Sequence, residues 1–328
     1  MDNIQTLMYS GQVPWHGLGT YVGENEITAE EAIEKAGLTW EVEKVQMYIP
    51  GKGTIIEPNE PTTLIATGDY RIRRVDNGFL FDGVTGPYYR PVQNREAFNF
   101  FDGVVTAGEA MYHTAGALGN GEIVWILAKM PGDFEVTKGD KVESYMLLHT
   151  SHIPGKALGM AMTPIRVVCQ NTLNVAIKGI GKKGFRHTHV KELMPKVHEA
   201  QEILGTADLY MRNMKTQIDR LVNEKFTEAQ MQEFALALVD EDPNSDIEEL
   251  SGSKIRIVTS LNHLFSEGVG QSLVAGTKWA AFNAVTEWTD HWANPGVRME
   301  IDQDRRLQEA WFGKGAELKQ RAWAELVA

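Results

Sequence analysis

At 328 residues, 43% apolar and 23% charged, the chain has an ordinary globular composition and length enough for one large core or two ordinary ones. Its start, Met1-Asp2-Asn3-Ile4-Gln5, lacks a basic signal region, the apolar run Ile123–Ala128 is far too short to span a bilayer, and the single Cys169 excludes an internal disulfide. A cytoplasmic protein with no membrane attachment is therefore expected. The net charge of −12 opposes a polyanionic partner overall, but the charge is uneven. Residues 1–152 hold 11 Lys/Arg against 21 Asp/Glu, residues 153–197 hold 8 against 1, and residues 198–328 hold 13 against 22. A local balance of +7 between balances of −10 and −9 suggests an anion-binding surface on a body that repels polyanions.

Thr28-Ala29-Glu30-Glu31 is a capping box that opens a short helix through Ala36, stopped by Gly37. From Trp40 to Cys169 the texture is strand-like, with strands expected at Trp40–Ile49, Thr62–Thr67, Tyr70–Val75, Phe79–Val84, Ile123–Lys129, Ser144–Thr150 and Ile165–Cys169. Asp76-Asn77-Gly78, Gly119-Asn120-Gly121 and Lys138-Gly139-Asp140 supply turns between them, which favours an antiparallel sheet. One helix interrupts the strands, beginning near Asn94 and carrying Phe98, Phe101, Val104 and Val105. Beyond about residue 190 the chain reads as helical. Val197, Ala200, Leu204, Ala207, Met211, Met214, Ile218 and Leu221 form a heptad seam, available to a neighbouring helix of this chain or of a second copy in a homo-oligomer. A helix follows the box Thr227-Glu228-Ala229-Gln230, an acidic loop spans Asp240–Asp246, and further helices are expected at Lys254–Glu267, Thr277–His291 and Asp302–Leu326. Trp288, Trp292, Trp311 and Trp323 are expected in a C-terminal core. The fold class is α+β: an antiparallel β-sheet region with an inserted helix over residues 1–195, followed by a helical C-terminal region over residues 196–328.

Thr163-Pro164-Ile165-Arg166-Val167-Val168-Cys169-Gln170-Asn171-Thr172-Leu173 reads as a buried strand entering a helix, with Asn171 or Thr172 as its cap. Arg166, set among apolar residues, needs an anionic partner: a phosphate, which suits its planar fork, or an internal carboxylate, the commoner answer. Downstream, Lys178, Lys182, Lys183 and Arg186 surround Phe185 among glycines, a composition suited to phosphate attraction and base stacking. The pattern G-x-x-x-x-G-K-[ST] is absent, so no nucleotide cofactor is expected. Cys169 is a nucleophile only if a histidine such as His149, His152, His187 or His189 lies beside it, and is otherwise a small core residue. His187 and His189 share one side of a strand but lack a full ligand set, so no metal is expected.

Three stretches, Pro14-Trp15-His16-Gly17-Leu18-Gly19-Thr20, Thr114-Ala115-Gly116-Ala117-Leu118 and Arg166–Leu173, resemble the phage/plasmid-like protein family, also called domain of unknown function 932. The resemblance spans roughly residues 10 to 220 and is weakest in the helical third. It implies a mobile-element origin and assigns no residue a catalytic role. Three functional readings follow. The first is a binding protein for single-stranded DNA or RNA, an annealing or recombination factor, using Lys156, Arg166, Lys178, Lys182, Lys183, Phe185 and Arg186. The second is an enzyme using Cys169 or the histidines. The third is an anti-defence protein that binds a host protein through its acidic flanks.

Overall fold

The structure is a computed structural model that describes residues 7–10, 20–23, 27–51, 64–105, 111–169, 171–173, 185–189, 193–293 and 303–328. At its centre lies the hairpin of β6 (Ile123–Thr137) and β7 (Asp140–Ser151), turned at Lys138-Gly139 with Gly139 at φ 88°. Its side chains alternate between two apolar layers, as a pleated strand requires. Val124, Ile126, Ala128, Met146 and Leu148 face one core, whereas Trp125, Leu127, Tyr145 and Leu147 face another. Both faces are covered, so the strand reads in sequence as one unbroken apolar run.

β5 (Met111–Leu118) pairs antiparallel with β6, and β1 (Leu7–Tyr9) extends the sheet beyond it. β2 (Thr20–Tyr21) pairs parallel with β1, which makes the sheet mixed at that edge. On the other side of β7 lie β8 (Leu158–Met162) with β11 (Phe185–His187) outside it, and β9 (Ile165–Arg166) with β10 (Asn171–Thr172). A separate ribbon is formed by β3 (Val42–Pro50) and β4 (Leu64–Arg74).

The first core lies under α1 (Ala29–Lys35), α2 (Asn94–Val105) and α3 (Val197–Leu204). Thr28 caps α1 through the expected box, and α2 buries Phe98, Phe101, Val104 and Val105 at helical spacing. The opposite face of the sheet packs on Ala310 and Trp311 of α8 (Gln303–Phe312), with Trp125 and Trp311 edge to face at 5.1 Å. A third core joins α4 (Ala207–Asn223), α5 (Glu228–Leu238), α6 (Gly252–Glu267), α7 (Lys278–Glu287) and α9 (Lys314–Leu326) to Val142 of β7. The chain is thus an α+β sheet region with an inserted helix, followed by a helical C-terminal region.

Several expectations change in detail. Thr62–Thr67 and Tyr70–Val75 belong largely to one strand, β4, of which Thr62 and Thr63 lie outside the described residues. Phe79–Val84 makes only isolated bridges to β4, Arg73 to Leu80 and Tyr70 to Thr85, because Gly83 at φ 86° interrupts the ladder. After Cys169 the chain enters β10 rather than a helix, and β10 pairs back on β9. The heptad seam bends at Gly205-Thr206: Val197, Ala200 and Leu204 pack on the first core, and Met211, Met214, Ile218 and Leu221 are buried in the third. This chain therefore covers the seam itself. Trp311 and Trp323 are core residues, but Trp292 is 50% exposed, since the π-helical turn Trp288–Trp292 shifts it off the buried stripe.

Gly121, in the β5–β6 turn, has φ 107°, and a Cβ there would meet the Trp40 ring at 2.7 Å. Gly121→Ala is expected to destabilise the fold by about 1–3 kcal/mol, through a strained backbone and a displaced Trp40. A urea midpoint equal to wild type would show that the turn relaxes freely.

Candidate functional site

Strands β9 and β10 carry the densest polar chemistry in the described residues, and all of it is inside. Arg166 is fully buried, and its fork holds Asp140 bidentately, Nε to Oδ1 at 2.7 Å and Nη2 to Oδ2 at 3.0 Å. Nη2 also donates to the Gly270 carbonyl at 3.1 Å, and Trp279 Nε1 donates to Asp140 Oδ2 at 3.2 Å. The anion that Arg166 needs is thus the internal carboxylate. Arg166 drops out of any nucleic-acid surface, because neither partner reaches solvent.

One step along, Asp290 Oδ2 accepts from the Thr172 amide at 2.7 Å and hydroxyl at 2.9 Å, and Lys319 Nζ donates to Asp290 and to Thr172 Oγ1. Burial lowers the Lys319 pKa, and Asp290 beside it opposes that shift. Asn171 shares a hydrogen bond of 2.9 Å with Thr286. Neither Asp290 nor Lys319 announces itself in the sequence, since each sits in a helix of ordinary texture more than 100 residues from Thr172.

Cys169 is buried within this network. Burial raises its thiol to about 11, only partly offset by the Arg166 guanidinium, whose Nη1 lies 3.6 Å from Sγ. A nucleophilic cysteine needs the opposite, a lowered pKa and an open approach. His291 Nε2 lies 3.2 Å from the Cys169 carbonyl rather than reaching for its sulfur.

The four candidate histidines do not converge on Cys169 either. His152 is fully buried between Trp40 and Phe81, with Nε2 2.9 Å from Asn94 Oδ1, and burial lowers its pKa to about 3. His189 pairs through Nδ1 with the Tyr89 hydroxyl at 2.8 Å and is lowered to about 4 by burial. His149 lies on the opposite face against Phe312, also lowered to about 4 by burial. His187 is buried in β11. Among the described residues no group of His, Cys, Asp and Glu is arranged to hold a metal ion.

The expected cationic strip divides. Lys178, Lys182 and Lys183 lie outside the described residues. Phe185 is 3% exposed and stacks on Phe100 at 5.0 Å, a correction to its reading as a base-stacking aromatic. Its neighbour Arg186 points outward, as strand alternation demands, on the edge strand β11. β11 pairs Leu158 with His187 and Gly159 with Arg186, a register that, continued, sets Lys156 level with His189. Lys156 and Arg186 are both exposed, and neither makes an ion pair among the described residues. Other exposed cations are paired, including Arg73 with Glu43, Arg95 with Glu30, Arg212 with Asp208 and Arg220 with Glu224. Lys35, Lys138, Lys225, Arg256 and Lys314, scattered over the surface, like Lys156 and Arg186 make no ion pair among the described residues.

The family model described as Domain of unknown function (DUF932) matches residues 83–312. The match includes β5 to β11 and extends through α8, further into the helical region than the motifs alone reach, while Pro14–Thr20 lies before it. No curated protein and no solved structure matches the chain. No helix among the described residues is long and apolar enough to cross a membrane.

Two outcomes test this description. Arg166→Met is expected to cost about 3–5 kcal/mol, because it strands the buried Asp140 charge, and adding Asp140→Asn should recover part of the loss. Additive losses would show that the two side chains do not act as a pair. The histidines give a pH signature: unfolded imidazoles take up protons near pH 6.5, whereas folded His149, His152 and His189 do so only near pH 4 or below. The unfolded state then binds more protons within that window, so the urea midpoint should fall as pH drops from 6.5 towards 4. A flat profile would mean that these rings titrate normally.

Proposed function

From a chain that belongs to the DUF932 family, whose description names no activity, we propose a binding protein for single-stranded nucleic acid, with its phosphate contacts on the β8–β11 edge of the sheet. The observation that carries this reading is that Arg186, on β11, and Lys156, in the turn before β8, are exposed and make no ion pair among the described residues, inside the one stretch of strong positive balance. Even with Arg166 neutralised internally by Asp140, residues 153–197 keep a large positive excess, to which Lys178, Lys182 and Lys183 contribute. Cations that already hold carboxylates gain little from a phosphate; unpaired ones gain the full contact and release its condensed counterions. The interior favours this reading over catalysis, since Cys169, His152 and His189 are enclosed, and burial displaces their pKa values and that of His149 away from use at neutral pH.

Affinity for a single-stranded oligonucleotide should fall with salt, with a log–log slope of about −0.7 per phosphate contact. Lys156→Ala with Arg186→Ala should weaken binding and flatten the slope by about one to two contacts. Arg212→Ala, at an exposed but paired position, should change neither. A folded sample that binds no oligonucleotide at low salt would overturn the proposal and leave a protein partner as the better reading.

A further inference from the structure

Arg186 has a polar neighbour on its own face of the sheet. It pairs with Gly159 of β8, and Gly159 pairs on its other side with His149 of β7, so the three residues form one cross-strand row. Strand alternation sends Arg186 and His149 to the face that carries Trp125, Leu147 and α8, away from the core that holds Phe185. Ala161, the next residue on this face of β8, is exposed and lies opposite Leu147. The floor of the row is therefore almost bare, Gly159 and Ala161, with a cation on one side and an imidazole on the other.

The imidazole leans over that floor. A Cβ on Gly159 would meet His149 Nε2 at 2.5 Å and Cε1 at 2.9 Å, so the tip of the ring, led by Nε2, fills the space that a side chain at 159 would take. Arg186 sets its own Cβ about 5 Å beyond, the usual separation of directly opposed strand partners. Phe312 packs against the ring, centroids 4.4 Å apart, and limits where it can turn. His152, His189 and His291 each have a polar partner. His149 is half-buried and has none among the described residues; burial alone moves its pKa, to about 4. At neutral pH the ring is therefore uncharged and carries one N–H to donate.

We infer that His149 is the second contact of the phosphate held by Arg186. The phosphodiester lies over Gly159 and Ala161, with the Arg186 guanidinium on one side and the Nε2–H of His149 donating to it from the other. The inference rests on the nucleic-acid reading proposed above and locates the anion within it. Glycine at 159 is what lets both donors reach one anion, because a larger residue would push the imidazole back. As a neutral donor His149 adds a hydrogen bond and no counterion release, whereas Arg186 adds both.

The test uses the full chain and a labelled single-stranded oligonucleotide, titrated over a range of salt at neutral pH. His149→Phe keeps a ring against Phe312 and removes the donor, so it should weaken binding roughly 10- to 100-fold with an unchanged salt slope. Arg186→Ala should weaken binding and flatten the slope by about 0.7, one phosphate contact on a single strand. His149→Gln, which returns an N–H near the place of Nε2, should bind close to wild type. Gly159→Ala, which displaces Nε2, should weaken binding as His149→Phe does, and the two together should lose no more than either alone. Melting temperatures check that each variant is folded, and Gly159→Ala carries the test if His149→Phe is not. If these two variants bind like wild type while Arg186→Ala binds weakly, His149 makes no contact and the phosphate surface stands. A His149→Gln loss equal to that of phenylalanine would overturn the hydrogen bond. If wild type binds no oligonucleotide, the assignment falls together with the reading beneath it.

Discussion

The Arg166–Asp140 pair fixes how the helical third of the molecule sits on the sheet. Asp140 opens β7 and Arg166 closes β9, so the pair first ties two neighbouring strands. Its remaining donors and acceptors then reach out of the sheet, to the Gly270 carbonyl and the Trp279 indole. Apolar contacts between α7 and the sheet tolerate sliding, whereas a bidentate fork with two further hydrogen bonds satisfies its charges in one arrangement only. A shift of α7 by one turn would leave a buried carboxylate short of a donor, at a cost comparable to a large share of a domain's net stability.

The second buried pair continues the constraint. Asp290 and Lys319 take hold of Thr172 at the end of β10, so the motif Arg166–Leu173 is held at both ends by the helical region. A motif with this much specific chemistry suggests an active site when read as a string. In space its polar atoms are consumed by one another, and its work is to join two parts of the chain. The outward chemistry begins only after it, where β11 returns to the open edge and alternation sends Arg186 to solvent while Phe185 and His187 stay inside.

This division explains what was legible in the sequence. Elements with local causes were readable: the capping boxes at Thr28 and Thr227, the hairpin glycines Gly119 and Gly139, and the α2 stripe from Phe98 to Val105. The family resemblance was readable because its motifs are local strings. Features set by long-range partners were not. Phe185 lies between glycines and cations in sequence, and only the packing of β11 on Phe100 of α2 reveals a core residue. Asp140 lies 26 residues from Arg166 and Lys319 lies 147 from Thr172, and no periodicity links either pair. The bend at Gly205-Thr206 divided a continuous heptad between two cores, which a repeat of 3.5 residues cannot foresee.

The acidity of the whole chain and the proposed ligand are compatible for a physical reason. At physiological ionic strength a charge is felt over about 8 Å, so a phosphate at Arg186 responds to the edge strand and not to the −12 of the molecule. A stiff duplex laid along that edge would carry its charge beyond the cationic stretch and towards acidic flanks. A single strand is flexible enough to keep its phosphates within the stretch. On the proposed reading, an acidic body with a cationic edge would favour single strands by geometry and discourage duplex by charge, without a motif that reads sequence.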